Sequence, residues 1–146
     1  GLADGTIDIV ATDHAPHPVE AKDCEWDAAA FGMVGLESAL SVVQSSVVDT
    51  GMLGWADIAR VLSATPARIG RLAGHGTPVE AGAPAELFLY DPAAAREFST
   101  GELAGKGVNS PYLSMTLSGR VVATFHRGYA TVLDGAVLES VGGARG

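Results

Sequence analysis

The sequence predicts an α/β fold followed by a meander of short β-strands. Three observations predict it: a short apolar run near the N-terminus, helical periodicity over residues 34–72, and closely spaced apolar runs with turn signals after residue 84. The pattern changes at a glycine-rich stretch near residues 74–78. We therefore expect two regions, residues 1–74 and 75–146.

Composition narrows the class of protein. At 146 residues, 47% of them hydrophobic and 18% charged, the chain is long enough for an ordinary domain with its own core. A net charge of −8 argues against a nucleic-acid partner, because binding phosphates requires clustered Lys and Arg. Cys24 is the only cysteine, which excludes an intrachain disulfide and favours a cytoplasmic protein. No apolar run is long enough to span a bilayer, so no membrane association is expected.

The first elements follow from local patterns. Residues 7–11, behind the turn at Asp4-Gly5, predict a strand buried on both faces, and a loop rich in proline and charge follows it. Residues 34–48 predict a helix that ends at Gly51. The apolar positions that share helical spacing there are Leu36, Leu40, Val43 and Val47.

Two shorter helices and four strands complete the predicted elements. The first helix carries an apolar face from Trp55 to Leu62, and Thr65-Pro66 predicts the cap of the second. Residues 93–118 are predicted to be mostly loop. The predicted strands cover residues 85–91 (ended by Asp91-Pro92), 120–125, 130–133 and 136–138.

The informative motif is Thr-Asp-His-Ala-Pro-His at residues 12–17, at the end of the first predicted strand. Active sites of parallel α/β folds gather at such strand ends. A carboxylate such as Asp13 can ligate a metal ion or move a proton there, and an imidazole can bind metal or an anionic substrate. The alternative is a turn in which Asp13 caps the loop and His14 or His17 bonds to backbone.

This motif resembles the last barrel strand of the cyclic amidohydrolases, and specifically of the bacterial-type dihydroorotases. His17 is the discriminating residue, because dihydropyrimidinases and hydantoinases typically have Phe there and allantoinases Cys. Glu86 stands where the superfamily has Asp. Further similar segments follow in the family order, at Phe31-Gly32, residues 34–37, 63–68, 82–87, 109–112 and 119–121.

The resemblance implies the C-terminal part of a (β/α)8 metal-dependent hydrolase barrel, followed by short strands of a composite β-sandwich. It also implies zinc-dependent interconversion of dihydroorotate and N-carbamoyl-L-aspartate in pyrimidine biosynthesis. Asp13 would be a zinc ligand and the general base, and His17 would bind the substrate carboxylate. Phe31 and Gly32 would bind the planar amide edge through their backbone. The alternative for Phe31 is a core aromatic beneath the loop.

Parts of the family pattern are absent from this chain, namely the His-x-His-x-Arg motif, the bridging carboxylate and two later histidine ligands. We therefore expect a piece of a longer enzyme, inactive by itself, that holds one or two zinc ions only with ligands from elsewhere. His14 is expected to support Asp13, Glu37 to be a solvated helix charge, and Asn109 and Tyr112 to hold the long loop.

Two other functions stay open at this point. One is a non-catalytic dihydroorotase-like subunit that scaffolds aspartate transcarbamoylase, although such proteins tend to lose the residues that Asp13, His17 and Phe31-Gly32 match. The other is a hydantoinase or allantoinase. The sequence leaves open whether the protein forms a homo-oligomer or associates with aspartate transcarbamoylase.

Overall fold

A computed structural model describes residues 1–138, so the last eight residues of the predicted second region lie outside the described part. Two helical segments pack beside a four-stranded antiparallel sheet whose strand order is β1-β2-β3-β4. Among the helices of this described part, none combines the length and the apolar character needed to cross a membrane.

The first helical segment begins later than predicted. Helix α1 covers Ala39–Val43 and continues as π-helical turns over Gln44–Val48. Residues 34 and 35 are held outside it, because the Val34 N–H donates to the Asn109 carbonyl (3.1 Å) and the Gly35 N–H donates to His14 Nδ1 (3.1 Å). The segment ends before Gly51, the predicted stop, which has a positive φ of 73°.

The face of this segment that lies against the sheet is polar rather than apolar. Ser38, Ser41 and Gln44 are almost fully buried, whereas Leu36 of the predicted apolar stripe is 61% exposed. The sheet supplies the matching polar groups: the Tyr90 hydroxyl donates to Gln44 Oε1 (2.7 Å), and Gln44 Nε2 donates to the Pro92 carbonyl (3.0 Å). Burial of polar groups is tolerated here because they are hydrogen-bonded.

The second helical segment is continuous. Helix α2 covers Trp55–Ala59, π-helical turns cover Arg60–Ala64, and helix α3 covers Thr65–Gly70. The predicted cap at Thr65 is therefore wrong, because the helical backbone already runs through residue 64 and no side chain caps α3. Pro66 lies in the first turn of α3, where a missing N–H is tolerated.

The predicted strand at residues 7–11 is extended chain without a neighbouring strand. Val10 N–H donates to the Val61 carbonyl (3.1 Å), and Ile7 is 51% exposed rather than buried. A buried parallel strand needs partners on both sides. Within the described residues, the chain before β1 has a single isolated parallel bridge, between His14 and Met33. Residues 7–11 therefore have the sequence pattern of a buried strand, but residues 1–138 supply no neighbouring strands for them.

The sheet consists of β1 (Leu87–Glu97), β2 (Thr116–His126), β3 (Tyr129–Leu133) and β4 (Ala136–Val137). Strand β1 continues past Asp91-Pro92, contrary to the prediction, because the register shifts between residues 91 and 95 and takes Pro92 out of the ladder. The loop predicted over 93–118 is correspondingly shorter. The tight turns after β2 and β3 are confirmed, with positive φ at both central residues of each.

Arg96 joins the sheet to the first helical segment. Its guanidinium donates to Ser41 Oγ (3.1 Å) and to the Gly119 carbonyl, and it pairs with Glu102. Gly119 lies where the sheet meets the first helical segment, and its φ is 80°. A Cβ atom there would overlap the Tyr90 hydroxyl and lie 2.5 Å from Gln44 Oε1.

Replacing Gly119 by alanine is expected to destabilise the protein by about 3 kcal/mol, because a left-handed backbone and overpacking both oppose a side chain at this position. Chemical denaturation of the protein that carries this chain measures the effect. Gly82→Ala is the matched control, since Gly82 also has a positive φ (89°) but no atom within 4 Å of its would-be Cβ. Equal losses from the two substitutions would contradict the packing role of Gly119.

Candidate functional site

Asp13 lines an open cleft of about 630 Å³, whose lining also includes Asn109, Ser110 and Pro111 of the C-terminal region. Its side chain is exposed, and its backbone has a φ of 45°, in the left-handed region that few residues other than glycine adopt. Aspartate tolerates this conformation better than most side chains do. The loop therefore holds a carboxylate at the cleft by an unusual turn of the backbone, as is common at functional sites.

His14, next to Asp13, binds backbone rather than the carboxylate. Its Nδ1 accepts hydrogen bonds from the N–H groups of Gly35 (3.1 Å) and Leu36 (3.4 Å). The Ala15 N–H also donates to the Met33 carbonyl (2.9 Å). These contacts attach the motif to the segment before α1, and the predicted support of Asp13 by His14 stays a prediction.

His17 and Gly32 lie against one another. Gly32 has a φ of 105°, and a Cβ built on it would be 3.6 Å from His17 Nε2 and 2.5 Å from the Ala15 Cβ. The backbone at Gly32 thus approaches Ala15 more closely than any side chain would allow, while a side chain there would be in ordinary contact with the imidazole. Phe31 is 97% exposed, so it is not a core aromatic within the part of the chain that the structure describes.

Lys22 was not expected at the site. Its Nζ donates to the carbonyls of Ala30 (2.6 Å) and Gly32 (2.8 Å), the residues on either side of Phe31. The ammonium group thereby fixes the Phe31-Gly32 segment and adds a positive charge to the cleft wall. The sequence carries no signal for this contact, because both acceptors are backbone groups.

Asn109 also reaches the site, from 92 residues further along the chain. Its Oδ1 accepts from the His17 N–H (3.0 Å), and its Nδ2 donates to the carbonyls of Ala15 (2.9 Å) and Gly32 (3.3 Å). The prediction that Asn109 holds its loop in place is confirmed. The contacts go further, since they connect the Asp13–His17 loop to the Phe31-Gly32 segment.

Glu37 differs from its predicted role as a solvated charge. Its Oε1 accepts from the Ala104 N–H (3.1 Å), and its Oε2 is buried with no hydrogen-bond partner among the described residues. Glu37 therefore anchors the loop after β1 to the first helical segment. It belongs to the packing between the two layers and lies outside the cleft lining.

The described residues do not form a metal site by themselves. Within residues 1–138, no three His, Cys, Asp or Glu side chains come together in a way that could hold an ion. Protein zinc sites use three or four ligands, and Asp13 alone supplies one. Of the more distant histidines, His126 pairs with Glu86, with Nδ1 3.1 Å from Oε2.

Searches for similar sequences found dihydroorotases. The dihydroorotase of Streptomyces coelicolor is 59% identical over 134 residues, which cover 92% of this chain and 31% of that protein. The dihydroorotase of Mycobacterium tuberculosis is 49% identical over 136 residues, 93% of this chain and 32% of that protein. The chain thus spans about a third of the length of these curated relatives. No protein-family model matches the chain.

Solved structures with the same fold include hydantoinases. L-hydantoinase (dihydropyrimidinase) from Arthrobacter aurescens superposes with a TM-score of 0.84 at 30% identity, over 94% of this chain and 31% of that one. D-hydantoinase (dihydropyrimidinase) from Thermus sp. gives a TM-score of 0.77 at 27% identity, with the same coverage. The predicted fold class is confirmed. The chain is thus similar in sequence to dihydroorotases and in fold to hydantoinases, and it spans about a third of the length of these proteins.

Proposed function

We propose that this chain forms part of a working dihydroorotase, which interconverts dihydroorotate and N-carbamoyl-L-aspartate in pyrimidine biosynthesis. One observation carries the proposal: Asp13 and Gly32 line one cleft, and His17 lies against Gly32, in a chain that is 59% identical to a named dihydroorotase. The substrate is a small cyclic amide that bears a carboxylate, and the three residues offer a base, an imidazole and an approachable backbone.

The proposal includes one or two zinc ions with Asp13 as one ligand. Because the described residues contribute a single carboxylate at the cleft, the remaining ligands must come from outside residues 1–138. We assign them to the two thirds of the relatives' length that this chain does not match. In the proposed reaction, the described residues move a proton and hold the substrate.

Asp13 is proposed as the group that moves the proton. Its carboxylate takes a proton from the attacking water as the new carbon–oxygen bond forms, and it delivers that proton to the ring nitrogen as the carbon–nitrogen bond breaks. An exposed carboxylate at the cleft wall, held by a constrained backbone, suits this role because proton transfer requires a fixed donor and acceptor geometry.

His17 and Gly32 are proposed to hold the substrate. The imidazole of His17 would donate to the substrate carboxylate, and backbone groups around Gly32 and Phe31 would meet the amide edge. The charge of Lys22 supports an anionic ligand at this place, since its ammonium lies on the cleft wall.

The second candidate function is that of a hydantoinase, which the solved structures of the same fold favour. Dihydroorotate carries a carboxylate that hydantoin lacks, so an imidazole at residue 17 fits dihydroorotate better. A non-catalytic subunit that scaffolds aspartate transcarbamoylase remains a proposal of a different class. Retention of Asp13 and Gly32 at one cleft, with His17 against Gly32, supports the active enzyme over it.

The proposal is tested by assaying this chain and the full-length protein side by side. Full-length protein here means this chain together with the remaining two thirds of a dihydroorotase. We expect metal-dependent turnover of dihydroorotate by the full-length protein and none by the chain alone, because the chain supplies one zinc ligand of the several required. Metal-dependent hydrolysis by the chain alone, or an inactive full-length protein with zinc bound, would refute the proposal.

A further inference from the structure

The side-chain amide of Asn109 connects the two segments that the proposed function assigns to substrate binding. It bonds to the backbone of Ala15 and His17 on one side and to the backbone of Gly32 on the other. The backbone carbonyl of Asn109 also accepts from the Val34 N–H, at 3.1 Å. One residue of the C-terminal region thus holds both substrate segments of the N-terminal region.

These contacts use the hydrogen-bonding capacity of a primary amide in a way that few side chains can copy. The oxygen accepts one bond and the NH₂ group donates two, and donor and acceptor must lie on the same planar group. Aspartate keeps the acceptor but loses both donors, and leucine loses all three bonds at nearly the same volume. Only an asparagine of this reach therefore satisfies both segments together.

The chain around Asn109 is fitted closely to the loop that it holds. A Cβ on Gly107 would lie 2.7 Å from the Pro16 Cβ and 3.2 Å from Asn109 Oδ1. Pro16 in turn limits the backbone of the loop next to His17. The position of the amide relative to His17 is thus set by packing as well as by hydrogen bonds.

We infer that Asn109 is a positioning residue of the proposed dihydroorotase reaction, which fixes His17 relative to Gly32 and thereby sets the affinity for the anionic cyclic amide. The inference rests on the proposed function. Asp13 is not among the hydrogen-bond partners of the Asn109 side chain, so the proton-transfer step depends on it much less than binding does.

The test compares Asn109→Leu and Asn109→Asp in the full-length protein. We expect KM for dihydroorotate to rise about tenfold in both variants, while kcat stays within about threefold. The lost contacts hold the substrate equally in the ground state and in the transition state, so their loss weakens binding without slowing the chemical step. Gln44→Met is the matched control: Gln44 is a buried amide with hydrogen bonds to Tyr90 and Pro92 outside the cleft. It should lower thermal stability and leave KM unchanged.

A purely structural role would not produce this separation of KM from kcat. An unchanged KM in both variants, or a loss of kcat with KM constant, would overturn the inference. A rise of KM in Gln44→Met equal to that in the Asn109 variants would overturn it as well.

Hydrogen exchange at the His17 amide provides a readout that does not depend on activity. The amide donates to Asn109 Oδ1, so its exchange should accelerate in Asn109→Leu and remain slow in Asn109→Asp, which keeps the acceptor. An unchanged rate in Asn109→Leu would overturn the positioning role. If the wild-type protein does not turn over dihydroorotate but the two variants show the expected exchange rates, the proposed function alone is refuted.

Discussion

Replacing Asp13 by asparagine in the full-length protein is expected to lower kcat for dihydroorotate by about a thousandfold. The amide is nearly the same size as the carboxylate, but it cannot take the proton of the attacking water. Asparagine adopts the left-handed backbone as readily as aspartate does, so the φ of 45° at this position is preserved. The loss would therefore report on chemistry and not on a strained loop.

Steady-state turnover of dihydroorotate measures the effect of Asp13→Asn, with Asp8→Asn as the control. Asp8 is an exposed carboxylate five positions earlier that does not line the cleft. Its removal changes the net charge equally and should leave kcat within about twofold, because an exposed charge outside the site contributes little. Normal turnover by Asp13→Asn would refute the role assigned to this residue.

Gly32→Ala is expected to lower kcat/KM for dihydroorotate by about a hundredfold. Its φ of 105° is closed to alanine without strain, and the new methyl group would lie 2.5 Å from the Ala15 Cβ. Relief of this clash must move the Phe31-Gly32 segment away from Ala15, and the carbonyls bound by Lys22 move with it. We therefore expect weaker substrate binding and a less favourable geometry of the bound substrate for reaction.

A second substitution separates the clash from the backbone strain. Ala15→Gly removes the nearest atom that the new methyl group meets. The double variant that carries both Gly32→Ala and Ala15→Gly should therefore recover part of the lost kcat/KM, while the backbone strain at residue 32 remains. Gly5→Ala is the control, because Gly5 has a φ of 82° and no atom within 4 Å of its would-be Cβ. No recovery in the double variant would contradict the proposed close approach of Gly32 to the loop.

The sequence predicted those features that depend on local patterns. Strands β2 to β4 follow from apolar runs separated by turn residues, and the turns at Arg127-Gly128 and Asp134-Gly135 have the positive φ angles that such residues favour. His17 and Gly32 were expected at one site because the motif and the following segment match one family in order. Their placement side by side agrees with that expectation, whereas their roles stay predictions.

Features that depend on tertiary partners were missed. The strand expected at residues 7–11 needs neighbouring strands, and the polar face of α1 is buried only because Tyr90 and Arg96 lie opposite it. The contacts of Lys22 and the additional contacts of Asn109 are made to backbone groups, which any sequence offers equally. Periodicity in a single sequence cannot encode contacts of this kind.

The most direct test of the account is the ratio of kcat/KM for dihydroorotate to that for hydantoin, measured on the full-length protein and on His17→Phe. The account predicts that dihydroorotate is preferred by at least about a hundredfold, and that loss of the imidazole removes most of this preference, because a site that hydrogen-bonds a substrate group discriminates strongly against an analogue without it. A wild-type protein that prefers hydantoin, or a preference that is unchanged in His17→Phe, would contradict it.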